Sequence, residues 1–271
     1  MKSHEKKDSA KPLRGVRVLV TRARAQAEEL SSLLRAEGAK VIEIPVLKIA
    51  PPRSWKGLDE ALKHVADYNW LILTSANGVE SLGKRMQRLK VPLRALSHLK
   101  VAAIGPATRA ALEQRGVRVH VTPREYVAES VAAALKNKVR GQRVLLVRAA
   151  VAREILPEGL RRAGAQVTVA TAYETQAPRK AAVKLYRLFR DRAKRPAIVT
   201  CTSSSAVTNY LAQTKAIPSA RKLAFASIGP ITSATLRGQG IEPAMEARTY
   251  TAKGLAQAIV RWSKAQGRAD L

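Results

Sequence analysis

The sequence predicts an α/β protein of two similar halves, each a doubly wound parallel sheet with helices on both faces. Three observations lead there. Short β-branched runs of strand length alternate with segments of helical apolar spacing. The alternation recurs once, at an offset of 124 to 128 residues, which marks a duplicated domain and not a solenoid of short units. The length of 271 residues suits two cores of about 120–140 residues better than one.

The elements follow in order. Val16 to Val20 is a β-branched run of strand length, and Ala27 to Ala36 continues with Leu30, Leu33 and Leu34 on one helical face. Gly38 supplies a helix stop before a second strand, Val41 to Ile44. Trp70 to Leu73 and Val101 to Ile104 are further strands. The second half repeats these events. A strand at Val144 to Val147 precedes a helix around Pro157 to Ala163, Gly164 stops it, and Val167 to Ala170 is the next strand. Pro157 fits a first helical turn, where a missing N–H costs nothing. Ala197 to Thr200 and Ala224 to Ile228 complete the set.

The repeat is legible residue by residue. Val-Leu-Val-Thr-Arg-Ala at 18–23 returns as Val-Leu-Leu-Val-Arg-Ala at 144–149, and Thr-Ser-Ala-Asn-Gly-Val at 74–79 as Thr-Ser-Ser-Ser-Ala-Val at 202–207. Ile-Gly-Pro-Ala-Thr at 104–108 returns as Ile-Gly-Pro-Ile-Thr at 228–232, and Tyr126 to Val131 as Tyr250 to Leu255.

Open parallel sheets bind ligands beyond the carboxyl ends of their strands, so the turns there carry the functional information. Four are rich in hydroxyl groups and lead into helices: Thr74-Ser75, Thr202-Ser203-Ser204, Gly105 to Thr108 and Gly229 to Thr232. Ser75 and Ser203 suit the N-cap, and capping alone would explain either of them. As two symmetric pairs the four turns also suit anions, because a helix start presents unpaired N–H groups and the positive dipole end.

Other chemistries find less support. The glycine-rich dinucleotide fingerprint, the Walker loop and the Gly-x-Ser-x-Gly nucleophile motif are absent from the sequence. Pro106 removes a donor that a pyrophosphate cradle would need. One cysteine, Cys201, rules out an intrachain disulfide framework, and four dispersed histidines outline no zinc site. No apolar run approaches the roughly 20 residues of a membrane helix, and Met1 to Pro12 reads as a disordered basic arm without the apolar core of a signal peptide. These features point to the cytosol. The net charge of +29 is open to three readings: a solvated basic surface, an electrostatic funnel for a polycarboxylate, or nucleic-acid binding. The third is disfavoured, because no recognition helix or aromatic platform accompanies the charge.

The motifs at 18–22, 73–79, 103–108, 125–130 and 227–232, in this order and spacing, resemble the uroporphyrinogen-III synthase family. The resemblance spans Gly15 to Ile259. It implies an exchange between the halves: residues 13–44 and 178–271 form a discontinuous first domain, 52–167 the second, and 45–51 with 168–177 a two-strand connector. It also implies a cofactor-free lyase of tetrapyrrole (haem and sirohaem) biosynthesis that closes hydroxymethylbilane into uroporphyrinogen III, with loss of water and inversion of ring D. The enzyme would be a cytoplasmic monomer, open to transient contact with hydroxymethylbilane synthase and without nucleic-acid or membrane partners. Tyr173 matches a connector tyrosine assigned as the acid assisting hydroxyl departure, although a purely packing role also fits it. Thr108, Thr232, Ser75, Asn77, Ser203, Ser204, Arg22 and the weaker Arg148 match positions that hold substrate carboxylates. The competing expectation is a non-catalytic two-domain protein that binds or senses a tetrapyrrole or another polycarboxylate.

Overall fold

A computed structural model describes residues 11–266. The chain divides into two units, one holding the chain up to Lys48 and again from Gln176, the other Ile49–Thr175. The first unit opens with β1 (Arg17–Val20), α1 (Arg24–Ala36) and β2 (Lys40–Glu43). The chain then runs through β3 (Lys48–Ala50), α2 (Lys56–Lys63), β4 (Trp70–Leu73), α3 (Ala76–Arg88), β5 (Lys100–Ala103), α4 (Pro106–Glu113), α5 (Ala128–Leu135), β6 (Arg143–Ala149), α6 (Ile155–Arg162) and β7 (Gln166–Gln176). It returns to the first unit for α7 (Ala181–Arg190), β8 (Ile198–Cys201), α8 (Ser204–Gln213), β9 (Ala224–Ser227), α9 (Pro230–Arg237), β10 (Met245–Glu246) and α10 (Ala252–Ala265).

Each unit carries one five-stranded sheet, in the orders β10-β9-β8-β1-β2 and β3-β7-β6-β4-β5. β1 pairs with β2 and β8, β8 with β9, and β4 with β5 and β6, all parallel. The alternation along β4 explains why the second sheet is covered twice. Leu71 and Leu73 pack with Leu58, Leu82 and Leu112 from α2, α3 and α4. Trp70 and Ile72 pack with Val131, Leu135, Leu156 and Leu160 from α5 and α6. A strand buried on both faces reads as a continuous apolar run, as Trp-Leu-Ile-Leu does. In the first unit Val18 and Val20 meet Leu30, Leu34, Leu255 and Ile259 of α1 and α10. Elsewhere in that unit, Phe225 of β9 meets Tyr210 of α8 edge to face, at 5.9 Å between ring centroids.

The predicted helix stops hold. Gly38 and Gly164 take φ of +96° and +86° just past α1 and α6, the left-handed region that glycine enters without a Cβ penalty.

Two expectations need correction. Residues 168–171 and Tyr173, which the resemblance puts in the two-strand connector, also belong to the sheet of the second unit. They pair with β6, with one shift of register between Thr171 and Tyr173, and Val167 and Val169 pack on one core while Ala170 and Ala172 pack on the other. The second correction concerns the arm expected at 1–12, of which the first ten residues lie outside the described ones. Lys11 and Pro12 belong to the folded unit. The Pro12 carbonyl accepts the Ser263 hydroxyl at 3.0 Å, the Leu13 amide donates to Glu37 O at 2.9 Å, and Leu13 is fully buried. Composition, which suggests the disordered arm, is blind to the apolar anchor that follows directly.

Candidate functional site

Each candidate residue sits at the carboxyl edge of a sheet. In the second unit Tyr173 lies on β7, Arg148 near the end of β6, Ser75 and Asn77 just past β4, and Thr108 just past β5. In the first unit Arg22 follows β1, Ser203 and Ser204 follow β8, and Thr232 follows β9. This is where parallel α/β sheets hold their ligands.

Around Tyr173 the geometry is tightest. The register between β6 and β7 slips after Arg148, so that Arg148 faces Thr171 and Ala149 faces Tyr173, with Ala172 as the extra residue. Regular alternation would put Tyr173 on the opposite face from Ala170 and Ala172. The bulge re-aims it, as bulges near active sites do, and all three residues share one core. The Tyr173 hydroxyl then stands 2.9 Å from Ser75 Oγ, with Asn77 as a second side-chain hydrogen-bond partner. Burial pushes the phenol up from its ordinary pKa, while the bonds to Ser75 and Asn77 pull the other way. Ser75 also caps α3, accepting the Gly78 amide at 3.0 Å.

The other candidates divide into open and occupied groups. Thr108 and Thr232 are buried, each at the third residue of a helix that begins Gly-Pro. The first turns of α4 and α9 leave N–H groups beside them without helical acceptors. Ser203 caps α8 through the Ala206 amide at 3.1 Å, and Ser204 Oγ accepts the Thr235 hydroxyl at 2.6 Å. Arg22 donates to Gln26 Oε1 at 3.2 Å, and burial pushes its guanidinium down against the opposing pull of Glu29. Arg148 is engaged within the protein: it is buried, ion-paired with Glu154, and donates to the Arg153 carbonyl at 3.0 Å. Its likeness to Arg22 in the repeat does not extend to its surroundings.

Two further tyrosines belong to these edges. A Cβ added at Gly105 would lie 3.3 Å from Tyr126 Cβ, and one at Gly229 only 2.8 Å from Tyr250 Cδ1. A side chain at Gly229 would therefore have to displace the Tyr250 ring, and one at Gly105 would press on Tyr126. The sequence displays Tyr126 and Tyr250 as repeat partners, yet nothing in their spacing ties them to the glycines. Cys201 is fully buried and its thiol is pushed up to about 12, which leaves it unreactive as a nucleophile. Among the described residues no group of three His, Cys, Asp or Glu could hold a metal ion, and no helix is long and apolar enough to cross a membrane.

Comparison with known proteins gives a consistent result. A family model described as uroporphyrinogen-III synthase HemD matches residues 28–257. A uroporphyrinogen-III synthase of Synechococcus elongatus is 36% identical over 262 residues, covering 93% of this chain and 97% of that protein. Two solved structures share the fold at 17% identity. One is a mutant uroporphyrinogen III synthase of the extreme thermophile Thermus thermophilus, with a TM-score of 0.68 over 92% of this chain and 99% of that one. The other is the uroporphyrinogen-III synthetase of Helicobacter pylori, with a TM-score of 0.61 over 91% and 99%.

Proposed function

Since the chain belongs to the uroporphyrinogen-III synthase family, we propose that it is a lyase that closes hydroxymethylbilane into uroporphyrinogen III, and that Tyr173 is its acid. The observation that carries this reading is the bulge in β7, which brings a buried phenol to the start of α3 at the carboxyl edge of its sheet. The reaction begins when the hydroxymethyl carbon of ring A loses its oxygen. The Tyr173 hydroxyl gives its proton to that oxygen, the C–O bond breaks, and water leaves. The pyrrole nitrogen lone pair stabilises the carbocation. Ring D then attacks through its substituted carbon to give a spiro intermediate, which fragments and recloses with ring D inverted, and the proton that ring D loses on regaining aromaticity restores the Tyr173 phenol.

A phenol is protonated at neutral pH, and burial reinforces that state here. The pyrroles supply the reactivity, so the remaining task of the protein is to bind and orient. Thr108 and Thr232, with the N–H groups of the helix starts around them, suit the substrate carboxylates. Ser203, Ser204 and Arg22 extend the anion-binding edge of the first unit. Arg148 is the weakest of the set, because its charge is already met by Glu154. We place the reaction in the cytoplasm and the enzyme as a monomer. The test is to incubate freshly prepared hydroxymethylbilane with the protein and separate the products. Type III isomer in excess supports the reading. Tight binding with only the spontaneous type I isomer would make the chain a non-catalytic binder.

A further inference from the structure

We propose that Ser75 and Asn77 act on the reaction through Tyr173 and not through the substrate: together they form a two-donor cradle for the phenol oxygen. The inference rests on the acid role proposed above for Tyr173.

Ser75 Oγ has one hydrogen to donate and two lone pairs. One lone pair takes the Gly78 amide at 3.0 Å, fixed by the N-cap geometry of α3. The Ser75 hydrogen is then available to the Tyr173 oxygen 2.9 Å away. Asn77 is the second side chain bonded to that oxygen, and its amide also donates. With donors on two sides, the phenol proton is directed along a third path, away from both. When that proton passes to the departing hydroxyl, the phenolate left behind keeps both donors and nothing has to turn. Preorganised donors of this kind act where charge develops, at no reorganisation cost during the step.

The surroundings favour neutral donors. Only burial, Ser75 and Asn77 act on the phenol. Arg148, on the neighbouring strand, is turned to Glu154 and the Arg153 carbonyl. Glu174, next in the chain, lies on the other face by alternation and within 3.9 Å of Arg53. The oxygen is therefore stabilised by hydrogen bonds alone, and the cradle is the means of making Tyr173 a usable acid inside an apolar core.

The test reads the phenol directly. Tyrosinate absorbance is titrated in the whole protein, with Tyr173→Phe subtracted to isolate this side chain, and kcat and KM are measured alongside. Asn77→Ala and Ser75→Gly each remove one donor; glycine is a tolerated N-cap, so α3 still starts at its place. Each is expected to raise the Tyr173 midpoint by about one pH unit and to lower kcat about ten-fold, with KM changed less than about two-fold. Ser75→Thr, which retains the hydroxyl, restores both. An unmoved Tyr173 midpoint in both variants overturns the inference, and so does a rise in KM alone, which would return Ser75 and Asn77 to the substrate. Failure of the acid reading itself looks different: Tyr173→Phe would then turn over at the native rate while the two cradle variants still shift the midpoint.

Discussion

Tyr173 shows what a single side chain owes to its strand. Its orientation toward Ser75 depends on one extra residue, Ala172, that no pattern of apolar alternation announces. Departure of water from a pyrrolic carbon is already assisted by the ring nitrogen, so an acid supplies only part of the barrier. General acid catalysis is typically worth about 10²–10⁴-fold. Tyr173→Phe should therefore slow turnover by about ten- to a thousand-fold, below the top of that range, with melting temperature and KM little changed and isomer III still the product. Steady-state kinetics with product separation checks all of this. Thr108→Ala and Thr232→Ala should instead weaken substrate binding by about 1–3 kcal/mol each, as for a lost hydrogen bond to a charged group. A direct binding titration with a non-cyclising analogue distinguishes them from Tyr173→Phe. At this scale the threonine, serine and arginine candidates were legible in the sequence as repeat partners and Tyr173 only through the resemblance, while their hydrogen-bond partners were not legible. The equivalence of Arg22 and Arg148 holds in register and misleads in chemistry, because Glu154 enters from a loop that the first half does not copy.

Between elements, the alternation of strands and helices was legible because the central strands, such as β4 and β8, are buried throughout and read as continuous apolar runs, whereas the exchange between the halves came only with the resemblance. Contacts that lock one helix to another were not legible. Asp59 of α2 and Arg85 of α3 form a bidentate pair, both bonds at 2.5 Å and both side chains largely buried, and the Arg85 guanidinium also lies 4.8 Å from the Trp55 ring centroid. These residues are 26 apart in sequence, beyond any helical spacing. The Arg85 hydrogen bond is the main cause that holds the Asp59 carboxyl below its ordinary range. A depressed carboxyl adds stability that is complete above the unfolded value of about 3.9 and fades as pH falls through the folded value. Asp59→Asn should accordingly destabilise the second unit by about 1–2 kcal/mol near neutral pH. The difference from the native chain should shrink toward about pH 2 in urea titrations across that range. A constant difference at every pH would assign the loss to packing and not to charge.

The whole molecule carries a net charge of +29, and the fold distributes it without making it part of the cradle around Tyr173. Exposed lysine and arginine side chains in short-range pairs, such as Lys63 with Glu60 and Arg109 with Glu113, contribute little to stability, because water and salt screen them. The role in catalysis open to the surplus is steering of the substrate at a distance. Hydroxymethylbilane carries eight carboxylates, so a positive potential over the surface raises its encounter rate, and the Debye length of about 10 Å at 0.1 M salt sets the range of that effect. Once the substrate is bound, proton transfer from a buried phenol with neutral hydrogen-bond partners has little to gain from the bulk field. Raising ionic strength from about 0.05 to 0.5 M shrinks the screening length roughly three-fold. The expected outcome is a fall in kcat/KM with kcat nearly constant, followed by stopped-flow or steady-state assays at saturating and sub-saturating substrate. If kcat falls in step with kcat/KM, the charge is acting on the bound complex and steering is the wrong account. If neither moves, the basic surface is solvated and without a part in catalysis. Sequence composition alone favours the solvated surface over steering but cannot decide between them, because a count of charges holds no information on where the reacting oxygen is shielded from them.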